Sequence, residues 1–424
     1  MAFGVLAYGA YIPRLRLSRR TIAEANAWLN PALKAQGKGE RAICNWDEDA
    51  VTMAVEAARD ALVGRDRASI GGLRFASTTF PFLDRLNAGL VVKALRLSDQ
   101  IAAVDVAATQ RAGTSALADA LCMSGETLVV AAEKRPAKAA SPLEMSSGDG
   151  AAALLVGKGE PVARLLASAT STADFVDHYR TIESEYDYQW EERWIRDAGY
   201  QPIVPPVIAR CLEAAKMTPG DVTSFCLPAV LPRLANTIAK VARIPDAAVR
   251  DNLHAGCGET GAAHPLLMLV AALEDAKPGD RILVVGFGQG ADALLFEALP
   301  AVERRPAPLG VKGHLARRRP EENYPKFLAF NDTVEIERGM RAQADKLTPL
   351  SALWRNTDMV TSFMGGICAK CGTLQFPKSR VCVNPNCNGI DTQEPEPFAD
   401  KIGRINSYTA DRLTYSPDPR PAMA

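Results

Sequence analysis

Four cysteines near the C-terminal end have a spacing that specifies chemistry: Cys368-Ala-Lys-Cys371, ten intervening residues, then Cys382-Val-Asn-Pro-Asn-Cys387. Two knuckles of paired thiolates are the donor set of a tetrahedral zinc site, and closure by four sulfurs leaves no coordination position for a substrate. The spacing predicts a structural Zn2+ on Cys368, Cys371, Cys382 and Cys387 that folds a small domain and takes no part in catalysis. A second concentration of reactive types is Asn252-Leu-His254-Ala-Gly-Cys257 followed by Glu259-Thr-Gly-Ala-Ala-His264-Pro265. Imidazoles serve packing and proton transfer equally well, and both readings stay open for His254 and His264. Cys226 ends an apolar run, Ser224 to Leu227, with no histidine near it in sequence. That context favours an inert apolar thiol over a nucleophile.

The elements that must hold these residues are written twice. Gly148-Asp-Gly-Ala-Ala-Ala-Leu-Leu-Val156 and Gly288-Gln-Gly-Ala-Asp-Ala-Leu-Leu-Phe296 agree at six of nine positions, and Gly125–Ala132 aligns with Gly279–Gly286 upstream of them. Two matches in the same order, with glycines in register, indicate an internal duplication and a pseudo-twofold axis. In the first half, Asp47 is a candidate cap for a helix with Val51, Ala54, Val55, Ala58, Ala61 and Leu62 on one face, and a strand over Leu73–Thr79 follows. The second half repeats the order with a helix around Val207–Ala215, the turn Thr218–Asp221 and a strand over Val222–Leu227. Such a duplicated unit is expected to stack as an α/β, five-layered α-β-α-β-α fold. Asp174–Tyr200, rich in aromatics and charge, belongs to neither repeat and reads as a surface helical excursion over the core, its tyrosines held in reserve as substrate contacts. The basic, proline-bearing stretch Arg304–Pro320 reads as a linker. The expected domains are residues 1–165, 166–303, a linker at 304–323, and 324–424.

Lysine plus arginine equals aspartate plus glutamate at 49 each, so the chain carries no electrostatic footprint for nucleic acid or an anionic membrane. The first residues alternate like a strand and lack a basic leader, and no apolar run reaches membrane-spanning length. Nine cysteines, five of them scattered without framework spacing, suggest reduced thiols and a cytoplasmic protein.

The ribbon, with an amphipathic stretch around Val334–Leu347 before it and Lys401–Tyr408 after it, resembles the zinc-ribbon and OB-fold module that accompanies thiolase-type acyl-CoA enzymes; here the OB part is incomplete. Through Gln110-Arg-Ala-Gly-Thr114, Leu143-Glu-Met-Ser-Ser-Gly-Asp-Gly150 and Lys277-Pro-Gly-Asp-Arg-Ile-Leu283, the first 300 or so residues resemble the 3-hydroxy-3-methylglutaryl-CoA synthase branch of the thiolase superfamily. The resemblance implies the duplicated five-layered fold, usually a homodimer, a substrate carrying coenzyme A, and two helix starts near Gln110 and Glu259 facing one active site. The family's catalytic groups do not carry over. Its nucleophilic cysteine slot holds Gln110, its histidine slot Cys226, its Gly-Asn pair Gly258-Glu259, and the synthase's glutamate slot Thr78.

A carboxamide cannot attack a thioester. Gln110 can still donate from its amide beside the N-H groups of a helix start, which makes an oxyanion-binding corner suited to an enolate. Glu259, at the head of the equivalent helix, is then the candidate base, with His264 and His254 as neighbours. The expected activity is a retro-aldol lyase acting on a β-hydroxyacyl-CoA. The alternatives are a synthase-like acyltransferase, a decarboxylase of a malonyl-type thioester, and a non-catalytic acyl-CoA-binding scaffold.

Overall fold

The structure is a computed structural model that describes residues 2–304, 308–336 and 349–409. Nine strands form one mixed sheet: β1 Ala2–Tyr11, β2 Ile70–Ala76, β3 Ala102–Val106, β4 Glu126–Glu133, β5 Gly150–Gly159, β6 Ala163–Thr172, β7 Ser224–Cys226, β8 Arg281–Phe287 and β9 Gly290–Ala298. Their order is β7-β8-β9-β6-β1-β5-β4-β2-β3. Reading outward from the β1–β6 seam, β1, β5, β4, β2 match β6, β9, β8, β7, and a single parallel bridge from Phe225 to Val249 stands where β3 would. The repeated strings are β4 with β8 and β5 with β9, each pair antiparallel to its successor. The duplication is therefore a symmetry of the sheet as well as of the sequence.

Helices complete the five layers. α1, Ala50–Ala61, packs on β1, β5 and β4, and α3, Gln201–Ala214, on β9 and β6. Between the two halves of the sheet lie α2, Ala112–Ala120, and α4, His264–Asp275, in contact with one another. α4 buries nine of its residues, among them Leu266, Leu267, Met268, Leu269 and Val270, and a helix apolar on every side belongs in the middle layer. α1 instead lies close to the sheet because its buried face is mostly alanine: a Cβ on Gly9 of β1 would stand 2.2 Å from the Ala61 nitrogen. Its cap is Asp49, not Asp47. Asp49 accepts from Thr52 N while the Thr52 hydroxyl accepts from Asp49 N, a reciprocal box that Asp47 lies too far upstream to make.

Two further expectations are corrected. The stretch read as a linker contains a helix, Gly310–Ala316, and a strand, Arg319–Glu321, that pairs in parallel with Leu15–Ser18. It belongs to the larger compact unit, Met1–Val91 with Gln100–Glu335; the smaller unit is Val92–Asp99 with Ile336–Ala424. The Asp174–Tyr200 excursion is a two-residue ladder, His178–Tyr179 with Tyr188–Gln189, running into a helical turn and a wide π-type turn at Ile195–Tyr200. Part of it turns inward, as described below.

In the smaller unit the ribbon strands are Met364–Cys368, Leu374–Gln375 and Gln393–Pro397. Residues 401–409, expected as the first OB strand, carry no ladder among the described residues. Most of the amphipathic stretch around Val334–Leu347 and all of residues 410–424 lie outside the described residues. No helix among the described residues is long and apolar enough to cross a membrane.

Candidate active site and metal centre

Gln110 follows a kinked turn in which Ala108 adopts φ 72°, and α2 begins two residues later. Buried Asp292 of β9 locks that start: it accepts from Arg111 Nη1 at 2.9 Å, the Thr114 hydroxyl at 2.9 Å and the Ser115 hydroxyl at 2.6 Å. Glu259 does not head α4, because the helix starts at His264. It instead bridges the loop before β5, with Glu259 N donating to Ser146 O and Gly148 N donating to Glu259 O. The second repeat thus fixes Gln110, and a loop of the first repeat fixes Glu259.

The two residues converge on Arg135. Arg135 Nη1 donates to Glu259 Oε2 at 2.7 Å, and Nη2 donates to Asp187 Oδ2 at 3.1 Å. The Gln110 carboxamide, oriented to satisfy its neighbours, places Oε1 2.8 Å from both Nη1 and Nη2 and 3.0 Å from His178 Nε2. The other Glu259 oxygen accepts from Gly261 N at 2.7 Å. Arg135 is buried, and its carboxylate partners Glu259 and Asp187 hold the guanidinium above its ordinary range against the opposing cost of burial. Gly261 adopts φ 54°, and a Cβ there would come within 3.0 Å of Arg135 Nη1 and of Glu133 Cγ. Only glycine lets the chain pass this close to the network.

The excursion supplies the rest of the cluster. Asp187 joins Arg135 to Arg180, whose other terminal nitrogen donates to Thr78 O, and His178 Nδ1 lies 3.1 Å from Asp177 Oδ1. A reading of this segment as surface cover is therefore corrected: it contributes His178, Arg180 and Asp187, while Tyr179 and Tyr188 face outward. Tyr200, stacked on Phe287, is half-buried, and desolvation of its phenol with the charges of Asp177 and Glu259 pushes it well above the ordinary range.

Thr78, where the synthase pattern calls for a glutamate, meets one from the next strand. Glu133, fully buried at the end of β4, accepts from Thr78 N at 2.7 Å, from the Thr78 hydroxyl and from the Thr79 hydroxyl at 2.6 Å. Burial pushes its carboxyl upward, opposed by Arg135 and these threonines. Sequence reading missed Arg135, Glu133, His178 and Asp187. The only signal was the density of charge and aromatics in the excursion.

The remaining candidates sit apart from this network or are committed within the fold. His264 Nδ1 accepts from Thr260 N at 3.0 Å and Nε2 donates to Asn252 O at 2.7 Å, so both ring nitrogens of a buried imidazole are used; burial lowers its pKa. His254 Nε2 donates to Ser146 O at 2.7 Å, and burial, followed by the nearby Arg19 charge, depresses it to about 4. Cys226 is fully buried in the core with its Sγ 3.6 Å from Met268 O, and burial pushes the thiol up to about 12. A proton held that tightly leaves no nucleophile at neutral pH.

In the smaller unit the four ribbon sulfurs lie within 4.8 Å of one another, with Cys368–Cys387 at 3.7 Å and Cys371–Cys382 at 3.6 Å. Zinc–sulfur bonds of ~2.3 Å at tetrahedral angles require sulfurs ~3.8 Å apart. The donor set therefore fits zinc in both chemistry and spacing.

Comparison with known proteins agrees with this architecture. Residues 212–296 match the family profile of the 3-oxoacyl-[acyl-carrier-protein] synthase III C-terminal domain, and residues 362–392 match the ChsH2 rubredoxin-like zinc ribbon. The hydroxymethylglutaryl-CoA synthase of Aeropyrum pernix is 31% identical over 327 residues, covering 74% of this chain and 90% of that protein. The chain belongs to the hydroxymethylglutaryl-CoA synthase family. The Pyrobaculum neutrophilum hydroxymethylglutaryl-CoA synthase is 30% identical over 348 residues, 78% of this chain and 98% of that protein. A crystal structure of HMG-CoA synthase complexed with CoA shares the fold at a TM-score of 0.68, with 19% identity over 82% of this chain and 95% of that one. Within the hydroxymethylglutaryl-CoA synthase family, this chain combines the thiolase-like body with a zinc ribbon and carries glutamine at position 110.

Proposed function

We propose that the chain cleaves a carbon–carbon bond of a β-hydroxyacyl-CoA through a thioester enolate, without an enzyme nucleophile. The observation that carries this reading is that Gln110 and Glu259 meet at one guanidinium nitrogen, Arg135 Nη1, at 2.8 and 2.7 Å. Such a corner can stabilise developing negative charge but cannot accept an acyl group. In this reading Glu259 takes the proton of the β-hydroxyl, whose electrons form the carbonyl of the leaving fragment. The Cα–Cβ bond breaks, its electron pair enters the enolate, and the Gln110 amide N-H groups hold the thioester oxygen. Return of the proton to Cα completes a shortened acyl-CoA, so the step balances with no further reactant. His264 and Cys226 have no part in it. His254, neutral at ordinary pH and bound to Ser146 O, anchors the loop ahead of Glu259.

Coenzyme A would enter as part of the substrate. A cavity of about 850 Å3 lined by residues between Ser18 and Glu40 offers Arg20, Lys34 and Lys38 to its phosphates, with Glu24 and Glu40 also on its wall. The ribbon would hold a structural zinc. A homodimer is supported by the edge strand β3, whose Val104 is 44% exposed. One observation favours a second reading, an acyl-CoA-binding scaffold without turnover: each side-chain oxygen of Gln110, Glu259 and Asp187 already accepts a hydrogen bond inside the cluster.

Purified protein incubated with a panel of β-hydroxyacyl-CoAs is expected to release an aldehyde or ketone and an equal amount of shortened acyl-CoA, and Glu259→Gln should abolish the release. Carbon dioxide from malonyl-CoA would instead indicate a decarboxylase. Condensation of acetyl-CoA with acetoacetyl-CoA would indicate a synthase, and tight acyl-CoA binding with no product would indicate the scaffold.

A further inference from the structure

One side-chain oxygen lies where three donors converge. Gln110 Oε1 sits in the fork of Arg135, equidistant at 2.8 Å from Nη1 and Nη2, with His178 Nε2 closing at 3.0 Å. The two terminal nitrogens of a guanidinium carry four N-H groups between them. Glu259 and Asp187 take one from each nitrogen, and the inner pair is left for Gln110. None of these donors depends on Gln110 for its place. Arg135 is pinned between two carboxylates with its side chain 2% exposed, Asp187 is held by Arg180, and Arg180 is anchored on Thr78 O. His178 is brought in by the excursion, beside Asp177.

The residue type at position 110 suits the receptor both in charge and in the group it adds. A carboxylate there could meet the same donors, but it would place a third negative charge on a guanidinium already shared by Glu259 and Asp187. A carboxamide contributes what a carboxylate lacks, an NH2 group. Because the amide is planar, fixing its oxygen in the Arg135 fork aims the two N-H bonds away from the fork.

We propose that Arg135 and His178 form an oxygen receptor that orients the Gln110 carboxamide. They are positioning residues whose effect is to present the Gln110 N-H groups to the oxygen of an anionic thioester intermediate. The identity of that oxygen rests on the lyase reading; the receptor itself does not.

Chemical rescue separates the two. Gln110→Ala empties the receptor, and removal of one oxyanion donor is expected to lower turnover by ~100- to 1000-fold. Acetamide and acetate can both place an oxygen in the fork, so each should raise the melting temperature of Gln110→Ala saturably while leaving the wild type unmoved. Acetamide alone restores an N-H donor, so it should recover turnover and acetate should not. Adding Arg135→Gln to Gln110→Ala should remove both melting shifts. Gln110→Glu, which keeps the oxygen and loses the NH2 group, should be inactive and unrescued by acetamide; it carries the test if Gln110→Ala fails to fold. Absent melting shifts, shifts that survive Arg135→Gln, equal rescue by acetate, or an active Gln110→Glu would overturn the receptor. Saturable shifts in a protein with no lyase activity in any form would leave the receptor standing and remove the lyase reading.

Discussion

Arg135→Met is the perturbation whose magnitude the structure fixes best. The wild-type guanidinium is buried and makes hydrogen bonds to Glu259 Oε2, Asp187 Oδ2 and Gln110 Oε1. Methionine fills most of the volume and removes every donor, leaving Glu259 without a cation in a buried pocket while Asp187 keeps Arg180. Breaking a buried ion pair from one side costs ~3–5 kcal/mol, because the partner charge remains and has lost its compensation. Unfolding entropy of ~2.1 cal/mol/K per residue, over a compact unit of roughly 330 residues, gives ~0.7 kcal/mol/K, so the melting temperature should fall by ~4–7 °C. Calorimetry on the full chain measures this directly. Combining Arg135→Met with Glu259→Gln neutralises the stranded carboxylate, leaves the Arg180–Asp187 pair intact, and should recover most of the loss. A single-variant loss below ~1 kcal/mol, or no recovery in the double variant, would refute the claim that this arginine balances buried charge.

Three further outcomes follow from the same geometry. His254 titrates near 4 in the folded chain against an ordinary 6.5, so the unfolded chain binds the extra proton between those values. Stability should therefore fall as pH drops from about 6.5 toward 4, and His254→Gln, which can still donate to Ser146 O, should narrow the gap between urea midpoints at pH 7 and pH 5. Gly261→Ala forces a side chain into a left-handed backbone against Arg135 and Glu133, and should cost ~1–3 kcal/mol with a matching shift in the urea midpoint. Removal of zinc by a strong chelator should expose four thiols to a disulfide reagent and unfold residues 362–397, since such sites contribute ~10–16 kcal/mol of apparent binding energy. Hydrogen exchange in α4 should be unchanged.

The duplicated core was legible because it is written in local terms. Apolar runs with glycines in register, in the same order in both halves, became β4 with β8 and β5 with β9. The ribbon cysteines were equally legible, since four thiolates within twenty residues have few other uses. Gln110 and Glu259 could be brought together only through the family resemblance. The groups that join them were not legible: Glu133 ends β4 and Arg135 follows it, while His178 and Asp187 lie in the excursion, and only the folded chain makes the two segments neighbours. The excursion misled because a segment without a repeat partner looks dispensable, although it carries the second ion-pair partner of Arg135. The presumed linker misled because proline and arginine suit a short edge strand as well as a tether, and Pro320 indeed pairs beside Arg16. Asp47 and Asp49 are indistinguishable by type, and only the hydroxyl of Thr52 decides between them.

The most direct measurement is a crystal structure of the full chain with a non-cleavable β-hydroxyacyl-CoA analogue. The expected result places the thioester oxygen within ~3 Å of the Gln110 amide nitrogen and the β-hydroxyl within the same reach of Glu259. A thioester bound elsewhere, with Gln110 and Glu259 still closed around Arg135 and touching no part of the ligand, would contradict the account.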